Sequence, residues 1–326
     1  MATSGPTFQL RGLTYTYPQP GRLAALPVVG WAASLWQRLR QGYGEGNGQP
    51  ALVDVTADIY PGVTAVLGLS GSGKTTLLNT LGLLADAQVS PGQVVYAGTD
   101  GALYDYADLR GDKRVRRRRT DFGFVLQSAF LLPHFSCLEN VAVPLALAGL
   151  PRAERLQRAE QLFLAADPTK KLFERRHSKP RDVSGGERQR VAVLRAVVHD
   201  PRVLFADEPL SNLDPANTRQ ILRLLVKWLA GTLHEKQDAA RDVEDELLLQ
   251  KWLDGSLQPD GRKDRTLLLV SHTIPMTVRF AHGRCLVIRN GKLVRGPDRP
   301  LHDETEATHE MGGTDDLGVS AGVRVP

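Results

Sequence analysis

Hydrophobic residues of this chain are grouped in short runs, and the pattern of each run predicts a strand or a helix. From Phe8 to Tyr17 apolar and polar positions alternate, which predicts an edge strand. The runs Val63–Leu67, Val203–Ala206 and Thr266–Val270 are apolar enough to be buried on both faces, as in a mixed or parallel sheet. Further strands are predicted at Ala51–Ile59, Phe122–Leu126, Arg284–Ile288 and Lys292–Val294.

Helices are predicted between these strands, so the chain belongs to the α/β class. One helix is predicted over Thr75–Leu84, directly after a glycine-rich loop. A mostly helical region extends over about Leu138–Phe173, with breaks predicted at Pro133 and Pro144 because proline lacks an amide hydrogen. Near the end of the pattern, Asn290-Gly291 separates two short strands and predicts a hairpin.

Three segments do not follow this pattern. Pro18–Pro50 has Pro and Gly at both ends, and its middle, Leu23–Arg40, predicts a hairpin or a short amphipathic helix that either covers the domain's own surface or docks on a membrane or partner. Gly231–Arg265 predicts an inserted amphipathic helix over Asp242–Asp254, followed by a polar turn. The tail, about His302–Pro326, has few large hydrophobic residues, and we expect it to be disordered.

Composition is that of an ordinary globular protein, with 42% hydrophobic and 24% charged residues in 326. No run approaches the roughly 20 apolar residues that span a bilayer, and Met1–Pro20 has no signal-peptide pattern. Cys137 and Cys285 predict neither a disulfide framework nor a metal site. We therefore expect a reducing, cytoplasmic location.

Positive charge is concentrated in one run, which contains Lys113, Arg114 and four consecutive arginines, Arg116 to Arg119. The net charge of the whole chain is only +5. Such a run is typical of a solvated helix face, and the alternative is contact with anionic headgroups or an acidic partner. Aromatic residues do not interrupt it, so binding of single-stranded nucleic acid gains no support.

A phosphate-binding loop is predicted between a buried strand and a helix. Its sequence matches G-x-x-x-x-G-K-[ST], in which small residues let backbone amides surround phosphate oxygens at a helix N-terminus. Lys74 is expected to reach the β- and γ-phosphates, and the Thr75 hydroxyl to bind Mg²⁺. The candidate ATP-binding residues of this region are Gly68, Leu69, Ser70, Gly71, Ser72, Gly73, Lys74, Thr75 and Thr76.

Two carboxylates follow another apolar strand, Val203–Ala206. Asp207 is placed to hold Mg²⁺ directly or through water, and Glu208 is the natural general base for an attacking water. A surface Asp-Glu pair would be the ordinary alternative. The phosphate loop earlier in the chain favours the catalytic interpretation.

A third motif, Ser184-Gly185-Gly186-Glu187, lies shortly before that strand. Together with the phosphate loop, Gln127, Asp207-Glu208 and His272, it resembles the motif order of ABC ATPases over most of Phe8 to Arg295. The segments around Gln127 and Asp207 further resemble the subgroup of lipoprotein-releasing, macrolide-exporting and cell-division ATPases. The resemblance implies a P-loop NTPase fold of ABC type, with a mixed central sheet, an antiparallel β subdomain and an α-helical subdomain that carries the signature motif.

The same resemblance implies one ATPase domain over residues 1–300, with insertions at about 18–50 and 231–265 and a tail at 301–326. Two positions depart from the family pattern: Val183 precedes the signature in place of Leu, and Leu210-Ser211 replaces Thr-Gly. These departures and the insertions leave the catalytic positions intact but put the substrate in doubt.

Roles for single residues are also implied by the resemblance. Gln127 is expected to sense the γ-phosphate through Mg²⁺ or water, and His272 to contact the γ-phosphate. Asp214 is expected near the opposite phosphate loop. Tyr17, with Tyr15 as the alternative, is the candidate for stacking on adenine. The signature motif is expected to contact ATP held by a second copy of the chain, through Ser184, Gly185, Gly186 and Glu187.

One signature motif per chain predicts a homodimer or a paired ATPase subunit with ATP and Mg²⁺ as cofactors. The expected partner is an integral membrane permease-type subunit, and the expected location is the cytoplasmic face of the inner membrane. Export, lipoprotein extraction and mechanotransmission in a division-type complex all stay open. A soluble ABC ATPase acting on nucleic acid or ribosomes is disfavoured, because neither tandem units nor a long coiled coil is found in the sequence.

Overall fold

The computed structural model describes residues 5–17, 50–85, 89–166, 171–233, 239–253, 264–271, 280–282 and 284–297, with the side chains of 239–243 left out. Several predicted features lie outside these ranges. They are the inserted segment Leu23–Arg40, the polar turn that follows the second insertion, His272, and the domain end at residue 300 with the tail beyond it.

The central sheet has six strands in the order β10-β9-β3-β8-β7-β6. All neighbours are parallel except the hairpin β9–β10. Asn290 and Gly291 form the hairpin turn with φ of 49° and 76°, as the sequence predicts. The strands are β3 (Gly62–Leu67), β6 (Phe122–Val125), β7 (Val203–Asp207), β8 (Thr266–Val270), β9 (Cys285–Arg289) and β10 (Lys292–Arg295).

A second, antiparallel sheet has the order β2-β1-β4-β5. The prediction that Phe8–Tyr17 is an edge strand is wrong, because β1 pairs with β2 on one side and with β4 on the other. Its alternation reflects burial of one face only, and a strand inside a sheet shows the same pattern when its other face is solvated. The strands are β1 (Phe8–Thr16), β2 (Pro50–Ile59), β4 (Val94–Ala97) and β5 (Leu103–Asp105).

Most of the helices cover the face of the central sheet that the antiparallel sheet leaves open. The prediction of a break at Pro144 is wrong, since helix α3 continues through it. Loss of one amide donor is offset there by burial of Cys137, Val141 and Leu145 against the neighbouring helices. The helices are α1 (Lys74–Leu81), α2 (Gly111–Thr120), α3 (Cys137–Leu147), α4 (Arg152–Ala166), α5 (Lys171–Glu174), α6 (Gly185–Val197), α7 (Pro215–Ala230) and α8 (Ala239–Leu253).

The core consists of two layers, one on each face of the central sheet. Leu67, Leu204 and Leu269 face the helical layer, whereas Phe205 and Leu268 face the antiparallel sheet and α1. Strands buried on both faces explain why their sequences are apolar throughout. Packing on both faces therefore holds the strands of the central sheet in place and keeps their ends in register.

Both charged segments form helices. Helix α8, predicted within the second insertion, packs on α7 through a buried ion pair of 2.6 Å between Lys227 Nζ and Asp245 Oδ2. Helix α2 carries the basic run and has no buried residue, as predicted for a solvated face. Three of its arginines are only partly exposed. Arg117 forms ion pairs with Asp100 at 2.9 Å and Asp121 at 3.1 Å. Arg114 and Arg118 donate hydrogen bonds to the carbonyl oxygen of Leu83. None of the helices described is long and apolar enough to cross a bilayer.

Candidate nucleotide-binding site

The glycine-rich loop joins β3 to α1 at the carboxyl edge of the central sheet. Gly68 and Gly73 have φ of 150° and 109°, a region that side chains rarely adopt. A Cβ on Gly73 would lie 2.6 Å from the carbonyl oxygen of Ala51, and one on Gly68 would lie 2.3 Å from that of Ile288. Glycine is required at both positions because the backbone approaches its neighbours closely.

Lys74 is buried inside this loop, with only 6% of its surface exposed. Its Nζ donates hydrogen bonds of 2.8 Å to the carbonyl oxygens of Gly68 and Leu69. Burial lowers the pKa of the Lys74 ammonium, while the Glu208 and Asp207 carboxylates act in the opposite direction. Ser72 Oγ is also buried in the loop and has no hydrogen-bond partner. A desolvated cation beside an unpaired hydroxyl suits a bound phosphate.

Thr75 and Asp207 meet at the start of α1. The Thr75 hydroxyl donates a hydrogen bond of 3.0 Å to Asp207 Oδ2, and Asp207 is the last residue of β7. Neutral and anionic oxygens of this kind are the donors that Mg²⁺ prefers, so the pair fits the ion. In the described part of the chain, no three His, Cys, Asp or Glu side chains form a metal cluster.

Gln127 and Glu208 meet because β6 and β7 are neighbouring parallel strands in register. Gln127 Nε2 donates a hydrogen bond of 3.1 Å to Glu208 Oε2. Glu208 has φ of 50°, and its amide donates to the carbonyl oxygen of Val270 in β8. A left-handed backbone at a non-glycine residue is costly, and such strain is often found at functional sites. The turn directs the Glu208 carboxylate towards the end of β6.

Tyr17 lies beside the phosphate loop. Its hydroxyl forms a hydrogen bond of 2.8 Å with Thr76 Oγ1, and burial raises the pKa of the phenol. Tyr15 packs edge-on against the Tyr17 ring at 5.0 Å but belongs to the core, with 6% of its surface exposed. Tyr17 is thus the better placed of the two predicted adenine contacts.

The signature motif opens helix α6. Ser184 Oγ accepts a hydrogen bond from the Glu187 amide, and Glu187 Oε2 accepts one of 2.7 Å from the Ser184 amide. Burial disfavours ionisation of Glu187, but the hydrogen bonds from Ser184 outweigh it and lower the pKa of the carboxyl. Ser136 and Glu139 form the same capping box on α3. Capping therefore accounts for Ser184 and Glu187 as local structure, and leaves Gly185 and Gly186 to be explained.

The structure separates the signature from the phosphate loop of the same chain. Among the described residues, no hydrogen bond or ion pair joins 184–187 to 68–75. Helix α6 packs on α3, α7 and β6, whereas α1 packs on β2, β7 and β8. Asp214 lies at the N-cap of α7, where its carboxylate accepts a 2.9 Å hydrogen bond from the Asn217 amide. The signature therefore lies outside the group of side chains at the phosphate loop, which consists of Lys74, Thr75, Asp207, Glu208 and Gln127.

Known proteins are similar to this chain in sequence and in fold. The family model described as ABC transporter matches residues 52–211. The lipoprotein-releasing system ATP-binding protein LolD of Novosphingobium aromaticivorans is 40% identical over 197 residues, which cover 60% of this chain and 83% of LolD. The chain belongs to the ABC transporter ATP-binding family. It is an ABC-type ATPase, as the sequence predicts.

Two further similarities refine this assignment. The macrolide export ATP-binding/permease protein MacB of Marinobacter nauticus is 40% identical over 191 residues, 58% of this chain but only 28% of MacB. The dimeric structure of a post-hydrolysis state of the ATP-binding cassette MJ0796, bound to ADP and Pi, is similar in fold, with a TM-score of 0.59 and 25% sequence identity. The aligned region covers 90% of this ABC ATPase and all of the MJ0796 chain. The predicted fold and the predicted subgroup are both confirmed.

Proposed function

We propose that this ABC ATPase works as a head-to-tail dimer that holds two ATP molecules and drives a membrane subunit. The observation that carries the proposal is the exposed signature turn, which the structure keeps apart from the phosphate loop of its own chain. Gly185 is exposed, and a Cβ built on it would meet no atom closer than 3.9 Å. Packing among the described residues does not account for a glycine at this position, and we assign its open surface to contact with a second chain.

In this dimer, the loop amides and Lys74 bind the phosphates of ATP, and the signature turn of the other copy covers the γ-phosphate. Helix N-termini favour anions at both places. Thr75 and Asp207, with Gln127 nearby, would hold Mg²⁺, which when bound neutralises charge on the phosphates. Tyr17 contacts adenine, and Asp214 lies across the dimer interface. The predicted His272 contact completes this set as a proposal from the sequence.

Glu208 acts as the general base in this proposal. It accepts the proton of the water that attacks the γ-phosphorus, while Gln127 fixes the carboxylate through the 3.1 Å hydrogen bond. Phosphoryl transfer depends on positioning and on neutralising charge more than on covalent chemistry. A site that is complete only across the dimer would thus hydrolyse ATP only when two copies close.

The membrane partner is proposed to bind the loop that follows Gln127, residues 128–135, which we call the apolar loop. Phe130, Leu132 and Phe135 expose 50%, 41% and 43% of their surfaces to solvent. Large apolar side chains clustered on an exposed loop are typical of a protein interface. The names of LolD and MacB refer to lipoprotein release and to an ATP-binding/permease protein. A permease-type subunit at the cytoplasmic face of the inner membrane is the corresponding partner here.

The test is Gly185→Asp, measured as steady-state ATP hydrolysis by the full chain. An added carboxylate fits the open space and favours the first turn of α6, so thermal stability should be kept. The new carboxylate would repel the phosphates of the ATP bound to the other copy, so ATP hydrolysis should fall by about tenfold or more. Ala153→Asp is the matched control, because it places the same group at an exposed position in the first turn of helix α4. Equal activity of both variants and the wild type would overturn the proposed dimer site.

A further inference from the structure

The backbone of the apolar loop is held from inside by three polar side chains. Arg195, near the end of α6, donates from Nη2 to the carbonyl oxygen of Ala129 at 2.7 Å and from Nη1 to that of Phe130 at 2.9 Å. Fully buried Asn140 accepts from the Leu132 amide at 2.7 Å. Lys179 Nζ donates to the carbonyl oxygen of His134 at 2.8 Å. A loop with exposed apolar side chains thus has a fixed backbone.

The Arg195 contact holds an unfavourable conformation. Phe130 has φ of 42°, which is costly for a bulky residue, and such geometry persists only where its surroundings enforce it. Burial removes water from the Arg195 guanidinium and lowers its pKa. The two carbonyl oxygens accept the hydrogen bonds that water would otherwise accept from this group. The planar fork of arginine suits two successive carbonyl oxygens, whereas lysine offers a single point of charge.

Arg195 also connects the apolar loop to the signature motif. Ser184 caps the first turn of α6 and Arg195 lies in its last turn, about 16 Å away along the helix axis. The helix is rigid over this distance because Val191, Val193 and Leu194 are buried in the core. At the other end of the contact, Gln127 lies two residues before Ala129 and bonds to Glu208. Arg195 thus forms a physical connection from the loop, through helix α6, to the signature.

We propose that Arg195 is a positioning residue that couples the apolar loop and Gln127 to the signature helix α6. The inference rests on the proposed function and deepens it, because it names the side chain through which events at the loop reach the signature. The hydrogen bonds of Arg195 go to the backbone of the apolar loop and not to Lys74, Thr75 or Glu208. Loss of Arg195 should therefore slow turnover without weakening the binding of ATP to the phosphate loop.

The experiment measures kcat and KM of ATP hydrolysis for the purified full chain carrying Arg195→Met or Arg195→Lys. For Arg195→Met we expect kcat to fall by about tenfold, with KM changed by less than about threefold. Arg195→Lys should recover part of the loss, since an ammonium reaches one carbonyl oxygen at a time. Assays are run well below the melting temperature of each variant.

Arg176→Met is the matched control. Arg176 lies in the same helical layer, is likewise part-buried, and also donates to a backbone carbonyl oxygen, that of Phe173, and to Glu160. It should lose a similar amount of thermal stability and keep its kcat. A kcat of Arg195→Met equal to that of Arg176→Met, or a rise in KM with kcat unchanged, would overturn the role of Arg195. If Gly185→Asp is fully active, the proposed dimer site itself fails; if only Gly185→Asp is inactive, the Arg195 inference alone fails.

Discussion

Replacing Glu208 with glutamine is expected to lower ATP hydrolysis by roughly 100- to 10,000-fold, which is the contribution of a positioned general base. The amide has the shape of the carboxylate but cannot accept the proton of the attacking water. Its oxygen can still accept the hydrogen bond from Gln127 Nε2, so the strand ends should stay in place. Phosphate release under multiple turnover is the measurement.

Binding of ATP should survive the Glu208→Gln change. Because hydrolysis is blocked, the two copies should stay closed on ATP, and light scattering should then show a dimer that depends on ATP. Glu174→Gln is the matched control, since Glu174 is an exposed carboxylate on α5, in the helical layer. Near-normal phosphate release by Glu208→Gln would refute its assignment as the base.

Replacing Lys74 with alanine is expected to weaken ATP binding by roughly 30-fold or more in Kd, as expected when a buried partner of a charge is removed. The ammonium is desolvated inside the loop, where its attraction to phosphate is stronger than at the surface. Loss of its two bonds to the loop carbonyl oxygens leaves those oxygens partly unpaired, so a small loss of stability is also expected. Equilibrium binding of a fluorescent ATP analogue reports the Kd.

Lys113→Ala is the control that removes a positive charge at a different position in the chain. Lys113 is an exposed residue of α2, so its removal changes the net charge equally without touching the loop. We expect its Kd to equal that of the wild type. A Lys74→Ala chain that binds ATP as tightly as Lys113→Ala would show that the loop does not bind the phosphates.

Much of the fold was predictable because its determinants are local. Strands β3, β7 and β8 are covered on both faces, so burial alone marks them in the sequence. The position of β1 inside its sheet was not predictable from the sequence. Alternation of apolar and polar residues shows which face of a strand is buried, but not which strands lie beside it. Strands β4 and β5 are not predicted from the sequence, since neither is a continuous buried run such as β7.

The same distinction applies to the site. The phosphate loop and Asp207-Glu208 are each contiguous in sequence, so each motif can be recognised without knowing its neighbours in the fold. Glu187 and Asp214 also serve as capping groups, which the sequence motif alone does not reveal. Arg195 resembles any polar position on a helix, and its contacts with Ala129 and Phe130 cross more than sixty residues of sequence. Only the folded chain brings them together.

The central claim is that one ATP site needs residues from two chains, and mixing two variants of reduced activity tests it most directly. Lys74→Ala lacks a working phosphate loop but keeps its signature, and Gly185→Asp has the opposite defect. A dimer with one copy of each contains one intact pair of phosphate loop and signature. We predict that hydrolysis recovers on mixing and is greatest at equal amounts of the two variants. A mixture whose activity does not exceed that of its separate components would contradict the claim.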